Sequence, residues 1–294
     1  MIIANPIYDV VFKYLMNDLD IARELLSTIL GEEIIDISIK PQETSIENFA
    51  YTLKAMRLDF KAVIKTETGE KKKVLIELQK AKHLFDIVRF RRYLSENYRE
   101  EDFINKGNDE IVETEALPIL TIYFLGFKLE NVPIPILKVN RVYKNAVTGE
   151  ILNVRENFVE QLTHDSYTIQ IPRLKVVMQT KLEKVLQIFS QEFLTSDLHK
   201  LNFQGDSNEP LVQKLLDKLT RAVASDDIRK QMDLEDEIDH VFEREFKKRL
   251  QEKDDMIEEK DKIIEEERRQ KEEERRQKEA LLKELEELKE KLKP

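Results

Sequence analysis

RLDFKAVIKTETGEKKKVLIELQ, residues 57–79, is the stretch on which the reading of the fold turns. RLDFKAVIK (57–65) alternates apolar and polar residues, TETGE (66–70) has the composition of a turn, and KKVLIELQ (72–79) returns as a second apolar strand. The spacing predicts a β-hairpin over 57–79. Asp59 falls on its first strand, and Glu77 and Gln79 fall on its second, two apart and so on one face. Leu78 and Lys80 take the other face. Seventeen residues separate Asp59 from Glu77, about what two strands and a tight turn need to bring them side by side.

Two adjacent carboxylates with a polar neighbour suit a hard cation. Mg²⁺ binds through one or two carboxylates, keeps several waters and completes its shell from substrate phosphate. The plain alternative is that acids on an exposed hairpin face are common, and one residue in five here is acidic. The apolar flanks favour a site, because RLDF and VLIELQ embed the acids in strands that read as buried, where a carboxylate is costly.

Outward from the hairpin the chain reads as α/β and then mostly α. IYDVVFKYLMNDLDIARELLSTIL (7–30) has helical apolar spacing and stops at Gly31, a natural C-cap. IIDISIK (34–40) alternates as a strand and ends at Pro41. KHLFDIVRFRRYLSENYRE (82–100) predicts an amphipathic helix with Phe85, Val88 and Tyr93 facing the core. LPILTIYFLGF (117–127) is a nearly continuous apolar run, as expected of a strand covered on both faces. Smaller pieces follow: FVEQL near 158–162, a strand SYTIQI (166–171), and helices near 174–194, 209–224 and 233–252, with Asp233 as N-cap of the last.

Composition narrows the function classes. The 294 residues carry a formal charge of −10, with no cysteine, no tryptophan and only 6 glycines. Without cysteine there is no disulfide scaffold, iron–sulfur cluster or thiolate zinc site. Neither GxGxxG nor GxxxxGK[ST] occurs, so no nucleotide cofactor is expected. No window of about 18 apolar residues exists to cross a membrane. The start, MIIANPIYDVVFKYL, lacks a basic leader and a cleavage site, so the expected location is cytoplasmic.

Composition shifts near residue 250. Residues 251–294 hold 17 acids and 13 bases, −4 of the total, leaving −6 on residues 1–250. EEERRQK at 265–271 repeats unchanged at 272–278, and Glu three or four residues before Arg or Lys favours continuous helix. Steps of seven give Leu250, Ile257, Ile264, Lys271, Lys278, Leu285 and Leu292, with Leu281 and Leu288 in a second series. This seam, apolar at its ends and charged at its centre, fits a dimeric or trimeric coiled coil, or a single solvated helix held by ion pairs. Three parts are expected: a core over 1–130, an α+β extension packed on it over 131–250, and a helical tail over 251–294.

The order helix, strand, hairpin with D…ExQ, helix, buried strand resembles the αβββαβ mixed-sheet core of the PD-(D/E)XK nucleases, the restriction-endonuclease-like fold. One branch is especially similar, the Rpn-like recombination-promoting nucleases, also called PD-(D/E)XK nuclease family transposases. The resemblance rests on NPIYDVVFKYLM (5–16), RLDF (57–60), VLIELQ (74–79), FDIVRFRRYLSENY (85–98) and LPILTIYFLG (117–126). Weaker matches, FVEQLTHDSYTIQI (158–171), KVLQIFSQ (184–191) and MDLEDEI (232–238), extend it over about residues 5–240. It implies a Mg²⁺-dependent DNA endonuclease, Mn²⁺ being able to substitute, that promotes recombination or movement of a mobile element. It implies Asp59 and Glu77 as metal ligands, the backbone carbonyl of Leu78 as a third, and Gln79 where most of the superfamily has Lys. Glutamine can hydrogen-bond the attacking water but adds no positive charge. Asp9, on the first helix, matches the position from which such folds often add an acid to the metal shell, with Lys13 one turn on.

Arg89 and Arg92 share a face of the helix after the hairpin and are candidates for phosphate contact, against the plain reading of a solvated face. Lys71–Lys73 read as surface charge at the hairpin turn. His83, His164, His199 and His240 form no HxxxH or HExxH spacing and read as structural or surface residues. Because phosphate neutralisation dominates nucleic-acid binding, a net-negative body predicts modest, salt-sensitive affinity for DNA. The rival expectation is a catalytically inactive nuclease fold kept as an interaction scaffold that works through its coiled-coil tail. In either case the tail is a spacer or an oligomerisation arm, and its coiled-coil reading predicts a homo-oligomer.

Overall fold

The computed structural model describes residues 1–40, 60–80, 84–105, 112–174 and 179–291. In chain order the strands are β1 (Ile2–Ala4), β2 (Ile34–Ile39), β3 (Phe60–Thr66), β4 (Lys71–Gln79), β5 (Asp102–Asn105), β6 (Val112–Glu115), β7 (Ile119–Leu125), β8 (Ile136–Val139), β9 (Tyr143–Lys144), β10 (Ile151–Leu152), β11 (Asp165–Gln170) and β12 (Lys200–Asn202). The helices are α1 (Asp9–Met16), α2 (Leu19–Leu30), α3 (Leu84–Arg99), α4 (Asn157–Leu162), α5 (Lys181–Leu186), α6 (Pro210–Val223) and α7 (Asp226–Lys291). None of the described helices is long and apolar enough to cross a membrane.

The fold is mixed α/β. Six strands form one sheet in the order β2-β3-β4-β7-β11-β8. The left half, β2-β3-β4, is antiparallel; β7 runs parallel to β4 and to β11, and β8 returns antiparallel on the far edge. Residues on both sides of position 130 therefore build the same sheet. The predicted hairpin appears as β3–β4, pairing Phe60 with Ile76 and Lys65 with Lys71. Positions 57–59 of that prediction lie outside the described residues.

Burial divides β4 between two cores. Val74, Ile76 and Leu78 join the large cluster containing Val11, Phe12 and Leu15 of α1, Leu25 and Leu26 of α2, and Leu215 and Leu219 of α6. Leu75, alternating with them, packs with Phe90 and Tyr93 of α3 and Ile119 of β7. The sheet is thus covered on both sides, which is why β4 and β7 read as almost continuous apolar runs.

Several expectations need correction. The helix expected over 7–30 is two helices. Asp18, in extended backbone, accepts from the backbone N–H of Ile21 and starts α2 afresh, while Gly31 closes it in the left-handed region at φ 69°. Among the described residues of the helix expected over 174–194, six form α5, which Thr180 and Glu183 open with a capping box; short 3₁₀ turns follow at Gln187–Phe189 and Gln191–Phe193. Asp233 is interior to α7 rather than its N-cap, because the charged sequence sustains one helix from Asp226 to Lys291. The chain divides into two units, Met1–Asp233 and Leu234–Pro294.

Candidate functional site

Glu77 lies near the C-terminal end of β4, an inner strand, and is 2% exposed. Its register partner on β7 is Tyr123, and residues so paired point to the same face. That face is the one α3 covers, since Tyr123 packs edge-on against Phe90 with ring centroids 4.6 Å apart. Burial first, then the Glu77 and Tyr98 charges, pushes the Tyr123 phenol up to about 12, although a hydrogen bond with Thr121 opposes the shift. Tyr123 is therefore a neutral phenol beside a buried carboxylate.

Gln79 ends β4 and is partly exposed. There β4 and β7 come unusually close: the N–H of Gly126 donates to the Gln79 carbonyl at 2.7 Å, and a Cβ on Gly126 would stand 2.2 Å from the Lys80 carbonyl oxygen. Only glycine fits that approach. Lys80, the next residue, lies across the sheet from Gln79, with its Nζ 3.6 Å from the Tyr8 ring centroid. Tyr8 is the N-cap of α1, and Asp9 opens that helix in an ion pair with Lys13. The end of β4 thus carries Glu77 and Gln79 on the face that α3 covers, while Lys80 meets the start of α1 on the other.

Not every sequence-predicted site residue lies within the described structure. Asp59 does not; it directly precedes Phe60, whose partner Ile76 directly precedes Glu77. Leu78 is buried on the α1 side of β4. Arg92 is exposed on α3, as is Arg91; the Arg89 backbone is helical, and its side chain is not among those described. Among the described residues no group of three His, Cys, Asp or Glu side chains converges as a metal site.

The lysines at the hairpin turn do not form a simple solvated cluster. Lys73 is 1% exposed, and its Nζ lies 2.9 Å from both Asp102 Oδ2 and Glu100 Oε2. Lys61 joins Glu100 as well. Burial disfavours the Glu100 carboxylate, but hydrogen bonds from Lys61 and Lys73 hold it below its usual range. Sequence reasoning missed this network because its members lie on β3, β4 and the segment after α3.

His164 is also more than a turn residue. The Tyr98 hydroxyl lies 2.8 Å from His164 Nδ1, and burial, then the nearby Arg141 charge, holds the imidazole below its ordinary value. Arg141 bonds Asp165 at 2.9 Å and Glu160 at 2.6 Å, and its hydrogen bonds keep the Asp165 carboxyl low despite burial. Tyr98 and Tyr123 extend the polar side of the α3 face from Glu77 toward His164. The one available sequence signal was tyrosine at otherwise apolar positions, which is equally the pattern of core packing.

No protein-family model, no curated protein and no solved structure matches the chain.

Proposed function

We propose that the protein is a metal-dependent DNA endonuclease with a PD-(D/E)XK-type, restriction-endonuclease-like core formed by α1, β2, β3, β4, α3 and β7. The observation that carries this reading is Glu77: a carboxylate 2% exposed on an inner strand, two residues before a partly exposed glutamine at the strand's open end. Burying a carboxylate is expensive, so an acid placed on an inner strand calls for a use of its charge.

The donor chemistry fits a hard divalent ion. Glu77, the Leu78 carbonyl and Asp59 would hold Mg²⁺ or Mn²⁺ through oxygen, with Asp9 available from the start of α1. When bound, such an ion lowers the pKa of a coordinated water and stabilises charge on a phosphodiester. Gln79 would orient the water through its amide, donating and accepting without adding charge. Arg92, and Arg89 on the same helix, would meet the DNA phosphates, and the burial of Tyr123 beside Glu77 keeps bulk water from that side of the acid.

Supercoiled plasmid at low salt tests the proposal, with Mg²⁺, Mn²⁺ or EDTA, beside Asp59→Ala and Glu77→Gln. Nicking by the unmodified chain that needs the cation and disappears in both variants is expected. Mn²⁺ binding followed by calorimetry should weaken in the same variants while their melting curves stay cooperative. A folded chain that binds no divalent ion and cuts under none of these conditions would overturn the proposal. Weight would then pass to the scaffold reading, which the exposed apolar residues of α7 favour.

A further inference from the structure

α7 carries Ile257, Ile264 and Leu281 exposed, along a stripe shared with Glu267, Lys271, Glu274 and Lys278. From Ile264 to Leu281 these positions follow the alternating three- and four-residue steps of a coiled-coil seam, and Ile257 lies one heptad before Ile264 with Lys260 at the step between them. Leu285 and Leu288 continue the spacing in the sequence. An apolar stripe of this kind on a solvated helix calls for a second helix, and the charges within it specify which one.

In a parallel, in-register pair each seam residue meets itself. Glu267 would face Glu267, Lys271 would face Lys271, and Glu274 and Lys278 would do likewise, four like-charged layers in succession. Reversing one helix about a centre between Glu272 and Glu273 changes every one of them. Lys271 then faces Glu274 of the other copy, Lys278 faces Glu267, and Ile264 faces Leu281. The central four layers become opposite-charge pairs, and apolar layers flank them on both sides. Sliding one heptad away from this alignment sets Ile264 against Glu274 in one direction and Lys271 against Leu281 in the other. At the rim, Arg268 and Arg275 oppose one another across the pair. That repulsion is solvent-screened, and Arg275 already lies 3.5 Å from Glu279 of its own helix.

We propose that α7 binds α7 of a second copy of this chain as an antiparallel coiled coil centred between Glu272 and Glu273. The EEERRQK repeat is the specificity element: its Glu–Lys spacing makes the seam complementary to its own reverse and repulsive to itself in parallel. This inference is independent of the nuclease reading, since it uses only the helix of the second unit.

The absence of native cysteine makes disulfide mapping direct. Full-length Ile264→Cys and Leu281→Cys are oxidised separately and as an equimolar mixture. The mixture should give at least ~10-fold more linked dimer than either alone, joined between 264 and 281, because a disulfide needs Cα atoms within about 7 Å. Sedimentation should show the unmodified chain at twice its 34.9 kDa mass. The pair Lys271→Glu with Lys278→Glu should dissociate it, and adding Glu267→Lys and Glu274→Lys should restore the dimer. Self-linking of each single cysteine variant, or an unmodified chain that stays monomeric at ~10 µM, would overturn the proposal.

Discussion

Replacing Lys73 by methionine isolates the buried ion cluster under the hairpin. Methionine keeps most of the stem's volume between Leu75 and the end of α3 and removes only the ammonium. What remains is Asp102, whose side chain is 11% exposed and whose Oδ2 then keeps the Leu117 N–H at 3.2 Å, together with Glu100, which keeps Lys61. Removing one member of a buried pair costs about 3–5 kcal/mol, because the surviving charge stays in a poorly solvated site. Against a typical total of about 5–15 kcal/mol, this is a large fraction of the stability of the first unit. Urea unfolding followed by tyrosine fluorescence reads that unit alone, since Leu234–Pro294 contains no tyrosine. The midpoint should fall by more than ~1 M with an unchanged slope. Adding Asp102→Leu should recover part of the loss, giving a coupling of at least ~1 kcal/mol in the double-mutant cycle. A loss under ~1 kcal/mol in Lys73→Met would refute the claim that the cluster is electrostatically tight.

Other perturbations reach different parts of the chain. Gly126→Ala should destabilise by about 1–3 kcal/mol in a thermal melt, because its Cβ meets the backbone of Lys80 rather than a yielding side chain. Asp18→Ala removes the cap that separates α1 from α2 and the 3.3 Å contact with Lys218, and should cost about 1 kcal/mol in the same melt. His164 has a folded pKa below its ordinary 6.5, so the unfolded chain binds its proton first. Stability is then complete above about pH 6.5 and declines as pH falls through the folded value; Glu100 and Asp165, also depressed, extend the decline into the carboxylate range. His164→Gln should flatten the slope of unfolding free energy between about pH 7 and pH 5 while leaving the acid limb in place.

Legibility differed from one element to another for physical reasons. The hairpin could be read because an alternating strand, a turn and a buried return strand all lie within 23 residues. The same locality exposed Glu77 as an acid inside an apolar strand, although its burial comes from the α3 face that it shares with Leu75 and Tyr123. The break between α1 and α2 was masked by apolar spacing that runs through Asn17 and Asp18; the deciding signal was a capping bond, not periodicity. Lys73 looked like surface charge because its neighbours in sequence are charged, whereas its burial comes from Asn97, Glu100 and Asp102, more than twenty residues on. The edge strand β8 has four residues, follows Pro133 and Pro135, and takes its pairing from β11, so nothing local announced it.

The two units put lysine and glutamate to opposite uses, and salt separates them. Around Lys73 the ammonium (1% exposed) and the Asp102 carboxylate (11%) sit inside the protein, where mobile ions hardly reach, and although Glu100 opens to solvent at 42% the Lys73–Asp102 pairing energy changes little with ionic strength. Along α7, pairs such as Arg276 with Glu272 at 3.1 Å stand in solvent, each worth only a few tenths of a kcal/mol and screened as salt rises. The seam layers of an antiparallel pair would lie between these limits, partly desolvated yet open at the edges. Raising salt from about 0.05 to 0.5 M shortens the screening length from roughly 14 Å to roughly 4 Å. The tail dimer should therefore weaken with salt while the urea midpoint of the first unit holds nearly still. If both transitions moved together, the charges around Lys73 would have to be solvated, contrary to their burial. If the dimer alone ignored salt, its Glu–Lys layers would not be what selects the antiparallel partner.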